Sequence, residues 1–329
     1  MTSAASQRAG ARIAAETIGA VRAEVHHVHA ADGVELALTR VPPVTPAPHA
    51  TPVVFVHGSY ARRNFWVSPK GLGVAPFLAE HGFDGWVLEL RGHGLSPKGP
   101  RFAAITAEDH MRLDLAAAQR HVDAATGRPA FWVGHSAGGL YTLGALSAGW
   151  LDAGRVAGAA TFGSQIRDGE RFLRVPGVVP VLAALLRAMK EFPAPRFGLG
   201  PEVEPAGEMI EFLRWKGWRG RWASGDGHDY EEGLGALRVP LIAFAGAADE
   251  ADPPAGCRAL LDACGGGDKS FVTLGRATGY TRDYGHVDMV VSKEAAAEVW
   301  PVLVRWLEAR RLPCQADECP GAPPDGKLR

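Results

Sequence analysis

The chain has 329 residues, enough for one large α/β domain or two small ones, and could bury about 75% of its unfolded surface. With 35 Lys and Arg against 36 Asp and Glu its formal net charge is −1, so it carries no basic footprint for nucleic acid or an anionic membrane. No apolar run approaches the ~20 residues of a membrane span, and the first twenty residues lack the apolar core of a secretory signal, so no stable membrane insertion and a cytoplasmic location are expected.

Residues 1–20, rich in Ala and Ser, read as an N-terminal arm of helical character. Val21 to Leu38 alternate around the turn signal Ala31-Asp32-Gly33 and predict a β-hairpin. The proline-rich stretch from Val41 to Pro52 is a connector. Pro52-Val53-Val54-Phe55-Val56-His57-Gly58 is an apolar run ending in glycine, the pattern of a buried parallel strand. Leu72 to His81 suits a helix. Gly85 to Leu90 is a second strand, ending in the loop Arg91-Gly92-His93-Gly94-Leu95-Ser96. Thr106 to Ala125 predicts a long amphipathic helix, with Thr106 and Asp109 spaced for a capping arrangement. Further strands are expected at Phe131 to Gly134, Val156 to Phe162, Val239 to Ala245 and Lys269 to Leu274, and a closing helix at Ala295 to Arg310. This alternation implies an α/β fold, a mostly parallel sheet with helices on both faces. It breaks at residues 164–237, an aromatic-rich helical stretch that reads as a cap inserted between core segments 21–163 and 238–311. Residues 312–329 read as a flexible tail. Of the four cysteines, Cys257 and Cys264 are expected on a surface helix and Cys314 and Cys319 in the tail; none has the paired C-x-x-C spacing of a zinc site, and free thiols are expected.

The chemistry centres on Gly134-His135-Ser136-Ala137-Gly138-Gly139, with a strand before it and the helix-compatible run Leu140 to Leu146 after it. G-x-S-x-G between strand and helix describes a nucleophile elbow, a turn sharp enough to present the serine hydroxyl off the end of the sheet. Serine needs a base, and the base needs a carboxylate to hold its tautomer. In the fold that carries such an elbow the acid and the base follow the serine in chain order; of twelve histidines, that expectation leaves His286, in a loop after the last strand, and His228, in the insertion, and His286 is preferred. Asp249, just past a strand, is the preferred acid, with Asp252 its competitor. The oxyanion donors should be the N–H of Ala137 and that of Ser59, with Tyr60 N–H second. His57 and His93 are expected to orient their loops.

Together, Val54-Phe55-Val56-His57-Gly58, Glu89 to Ser96, Gly134 to Gly139, Gly246-Ala247-Ala248-Asp249 and Gly285-His286 resemble the α/β-hydrolase superfamily, in its order, over roughly Val21 to Arg310 apart from the insertion. The resemblance implies a Ser136–His286–Asp249 triad without cofactor or metal. The stretch from Asn64-Phe65-Trp66-Val67 to Arg91 is also similar to the acid-lipase branch. The expected function is cleavage of carboxylic esters with apolar or lipid-like groups on small-molecule substrates. Tyr60, Trp66, Trp215 and Trp218 are the expected substrate contacts, and the oligomeric state is left open. The same triad could instead serve aminopeptidase, C–C hydrolase, acyltransferase or perhydrolase chemistry, because only cap and acceptor differ. A non-catalytic ligand-binding relative would be expected to lack a triad member.

Overall fold

The computed structural model describes residues 12–311 with 48 and 170 excepted; the expected tail with Cys314 and Cys319, and the first eleven residues of the arm, lie outside the described residues. Nine strands form one sheet: β1 Arg12–Ile18, β2 Val21–His29, β3 Glu35–Val41, β4 Thr51–Val56, β5 Phe83–Glu89, β6 Ala130–His135, β7 Val156–Phe162, β8 Leu241–Gly246 and β9 Lys269–Leu274. Their spatial order is β1-β2-β3-β5-β4-β6-β7-β8-β9. The first three pair antiparallel, as do β3 and β5; every later pairing is parallel.

Strand β4 shows why its sequence reads as an unbroken apolar run. All six of its residues are buried. Successive side chains leave opposite faces of a strand, so Val54 and Val56 enter one core with Trp86, Leu88 and Trp132, while Val53 and Phe55 enter another with Val87, Phe131 and Val133. Helices cover both faces, so neither face can be polar. The expected helix at 106–125 begins with a capping box, in which Thr106 and Asp109 satisfy each other's backbone N–H groups. It passes through a π-turn at His110–Asp114 before regular helix resumes over Leu115–Thr126. Gly127, at φ +68°, ends it. The closing helix is two pieces, Lys293–Glu298 and Trp300–Glu308, because Pro301 has no N–H to continue the ladder.

Two expectations fail. The arm is not helical from Arg12 onward. β1 pairs along β2 from Arg12↔His27 to Ile18↔Val21, and the edge of β2 satisfies backbone groups that an isolated short helix would leave fraying. Arg63 fastens this strand from the far side with a bidentate pair to Glu16 (2.7 and 2.9 Å). Cys257 and Cys264 are buried, not superficial: helix Pro254–Ala263 turns its apolar face onto β8, and both thiols donate to backbone carbonyls of Asp252 and Leu260. Burial pushes both thiols well above their ordinary pKa, Cys264 to about 12.

Candidate active site

Ser136 stands between the end of β6 and helix Ala137–Ser147 at φ 53°, ψ −123°, a conformation that costs a non-glycine residue energy. The surroundings over-determine it. Its N–H donates to Phe162 O (2.8 Å), and its carbonyl accepts from Ser164 Oγ (2.9 Å). The glycines around it have steric reasons. A Cβ on Gly138 would lie 2.3 Å from Val56 O and 2.5 Å from His57 O, both backbone atoms that cannot swing aside. Gly138→Ala is therefore expected to destabilise the fold by about 1–3 kcal/mol in chemical denaturation. An unchanged midpoint would mean that the helix entry relaxes freely.

His286 Nδ1 hydrogen-bonds Asp249 Oδ2 at 2.8 Å, with the Asp249 carboxylate fully buried. Asp249 Oδ1 accepts the N–H groups of Ala251 (3.0 Å) and Asp252 (2.8 Å), which fixes the carboxylate against the turn after β8. Burial disfavours the imidazolium of His286, but the hydrogen bond and charge of Asp249, aided by Asp252, outweigh it and raise the pKa above its ordinary value. Gly163 leaves room for this contact: a Cβ there would crowd both Asp249 Oδ2 and His286 Nδ1. His228 lies elsewhere, bonded to Ser147 Oγ (3.2 Å).

Ser136 and His286 line one cavity of about 630 Å³ together with Ser59, Tyr60, Ala137, Asp252 and Gln165. Its apolar wall comes from Phe65 and Leu140 and, on the insertion, from Leu199, Met209 and Phe212. Asp252 is more than a competitor for the triad: its Oδ2 accepts from Ser136 Oγ (3.4 Å) and lies 3.9 Å from His286 Nε2. Burial raises its pKa against the opposing charges of His286 and Lys216.

The N–H of Tyr60 donates to Glu204, so that group is already engaged; no partner for the N–H groups of Ser59 or Ala137 is found among the described residues. The insertion grips the 59–62 loop at several points. Glu202 N–H donates to Tyr60 O (3.1 Å), Arg62 pairs with Glu202 (3.2 Å), and Gly200 packs directly on the Tyr60 carbonyl. Tyr60 itself is in the left-handed region at φ 66°, held there by these contacts. Beneath the loop lies a buried ionic network. Glu204 faces His93 Nε2 (3.1 Å), Glu208 faces His110 Nε2 (3.2 Å) and accepts from Tyr141 OH, and His110 Nδ1 faces Asp114 (2.9 Å). His57 does orient its loop: it takes Leu90 N–H on Nε2 (3.2 Å), and its Nδ1 donates to Gly58 O (2.9 Å).

Three expected substrate contacts fall outside this cavity. Trp66 is fully buried against Phe55 and Phe65. Trp215 is buried against Phe212, Trp222 and Tyr230, its indole N–H donating to Ala223 O (2.9 Å). Trp218 is 55% exposed beyond the end of helix Ala206–Lys216 and carries Arg219 on its ring. Helix Ala206–Lys216 stops before Trp218, so Trp215 and Trp218 do not share a continued helical face.

The sequence reading did not single out His135, Gln165 or Lys216, all of which line the cavity. His135 packs between Phe65 and His286 (ring centroids 4.4 and 4.6 Å) and donates from Nε2 to His286 O (2.8 Å), bracing the backbone of the loop that bears His286. Its adjacency to Ser136 was the available signal, but adjacency does not say where a ring points. Gln165 carried no local signal at all. Among the described residues no helix is long and apolar enough to cross a membrane.

The profile of the alpha/beta hydrolase family matches residues 53–311, and the chain belongs to that family. The chain is similar to the tear acid lipase-like protein of Mesocricetus auratus, with 32% identity over 129 residues, 35% of this chain and 32% of that protein. It is similar to triacylglycerol lipase 1 of Arabidopsis thaliana, with 34% identity over 133 residues, 37% of this chain and 33% of that protein. The similarity thus spans about a third of the length of these curated relatives. Among solved structures, the fold is shared with a monoacylglycerol lipase of Paleococcus ferrophilus (TM-score 0.59, 17% identity, covering 84% of this chain and 100% of that one). It is also shared with a thermophilic esterase from Thermogutta terrifontis (TM-score 0.59, 18% identity, 87% and 98%).

Proposed function

We propose that this protein is a serine hydrolase that cleaves carboxylic esters of small molecules through an acyl-enzyme. The observation that carries the reading is the 2.8 Å bond from His286 Nδ1 to Asp249, with His286 and Ser136 on the wall of the same cavity. In this reading the Ser136 hydroxyl turns from Asp252 to His286 Nε2, gives up its proton there and attacks the ester carbonyl carbon. Asp249 keeps Nδ1 protonated and stabilises the imidazolium. The developing oxyanion accepts from the N–H groups of Ser59 and Ala137. The imidazolium then protonates the departing alcohol, and water repeats the sequence on the acyl-enzyme. The apolar side chains of Leu140, Met209 and Phe212 favour an apolar acyl or alkyl portion. The similarity to two lipases and the fold shared with an esterase support the ester class.

A fluorophosphonate is expected to form one adduct, on Ser136, in native protein and none after heat denaturation. Ser136→Ala should abolish both the adduct and the hydrolysis of p-nitrophenyl esters. A label on another serine, or turnover retained in Ser136→Ala, would overturn the reading.

A further inference from the structure

The mechanism above leaves one carboxylate on the cavity wall unused. Asp252, 7% exposed, lines the cavity beside the nucleophile. It is held as part of a built site. Oδ1 accepts from Gln165 Nε2 (2.8 Å), and fully buried Gln165 is itself anchored by Asp168 N–H on its Oε1 (2.7 Å). The backbone N–H of Asp252 is tied to Asp249 (2.8 Å). These bonds leave Oδ2 on the cavity side with one hydrogen-bond donor among the described residues, the Ser136 hydroxyl at 3.4 Å.

That donor leaves when catalysis begins. Once the Ser136 proton passes to His286, Oδ2 has the imidazolium Nε2 at 3.9 Å, too far for a hydrogen bond, and no other donor among the described residues, and an apolar substrate group filling the cavity would keep water from it. A buried carboxylate without a donor is costly, and a site built around an acceptor discriminates against substrates that cannot supply one. Half-buried Lys216, which lines the same cavity, supplies charge but no hydrogen bond to Asp252.

We propose that Asp252, positioned by Gln165, recognises a hydrogen-bond donor, a hydroxyl or an ammonium, carried by the substrate within a few atoms of the scissile ester. This rests on the ester-hydrolase reading. The substrate is then an ester with an apolar arm along Leu140, Met209 and Phe212 and a polar, donor-bearing arm against Asp252. A simple alkyl ester lacks the second arm.

The test compares kcat/KM by pH-stat for five substrates. Propyl hexanoate has no donor, 2-hydroxyethyl hexanoate a neutral one, 2-(dimethylammonio)ethyl hexanoate a cationic one, and methyl 3-hydroxyhexanoate a donor on the acyl side, with methyl hexanoate as its reference. The wild-type protein is expected to favour at least one donor-bearing ester over its donor-free counterpart by about 10–100-fold, the range of a hydrogen bond to a charged group. A gain with the hydroxyl esters assigns a neutral donor, and a gain confined to the ammonium ester assigns a cation. Asp252→Leu and the more conservative Asp252→Asn are both expected to bring the ratio close to one, and if the leucine variant does not fold, the asparagine variant decides. Equal rates for all esters in the wild type, or a uniform loss across them in the variants with the preference intact, would overturn the proposal. Failure of the underlying reading would show separately, as wild-type protein whose Ser136 is not labelled by a fluorophosphonate, and it would overturn this proposal as well.

Discussion

His286→Ala is expected to lower kcat for ester hydrolysis by about 10²–10⁴-fold, whereas His228→Ala, whose ring rests on Ser147 away from the cavity, is expected to leave kcat nearly unchanged. The pH profile supplies an independent check. His286 accepts a proton only as neutral imidazole, so activity rises with pH through its pKa. Burial alone would lower that pKa, but the hydrogen bond and charge of Asp249, followed by the charge of Asp252, raise it above the ordinary 6.5. The acid limb of kcat/KM is therefore expected above 6.5 in the wild type and at lower pH in Asp249→Asn, which removes the stronger partner and should also lose more rate than Asp252→Asn. Equal losses from the two histidine variants, or an acid limb that Asp249→Asn does not move, would contradict the assignment of His286 as base.

The second large effect is expected at Glu204, which reaches from the insertion into the protein interior. Its carboxylate has no solvent exposure, accepts the N–H of Tyr60 and faces His93 at 3.1 Å. Glu204→Ala orphans that N–H and leaves His93 buried without its partner, a loss that typically costs about 3–5 kcal/mol. It also frees the 59–62 loop that presents Ser59, so kcat should fall more than KM rises. Glu204→Gln, which can still accept from Tyr60, should be milder on both counts. A Glu204→Ala protein with wild-type stability and kcat would show that the strut is unnecessary.

The same network gives stability a pH dependence of defined sign. Burial opposes the imidazolium of His110, but Glu208 and Asp114 raise its pKa from 6.5 to about 10. That contribution is complete below 6.5 and is lost as pH rises through about 10. Burial opposes the charge on Glu208 too, but His110 draws its pKa down from 4.5 to about 2, so this contribution is lost as pH falls through about 2. Glu204, pushed up to about 7 by burial and by the charge of Glu208, adds a penalty as it ionises above 4.5. The network's contribution to Tm is thus expected to decline from pH 6.5 toward pH 10, and a Tm that climbs across that interval would contradict it.

Sequence alone determined the parts of this protein that depend on local pattern. Apolar runs ending in glycine located the parallel strands, because a strand covered on both faces must be apolar throughout. Gly134-His135-Ser136-Ala137-Gly138 located the elbow, because only glycine fits where its neighbours pass within van der Waals distance. Chain order pointed to His286 and Asp249, which the fold brings within 2.8 Å. Only tertiary structure decided the rest. A tryptophan's place in the sequence does not reveal whether a core will bury it, so Trp66 and Trp215 read as pocket residues but pack inward. Gln165, Lys216 and Glu204 lie in segments with no catalytic pattern, far from Ser136 or Tyr60 along the chain. The role of Asp252 depends on which of its oxygens a distant glutamine engages. Long-range packing sets such positions, and it leaves no periodicity for a linear reading to detect.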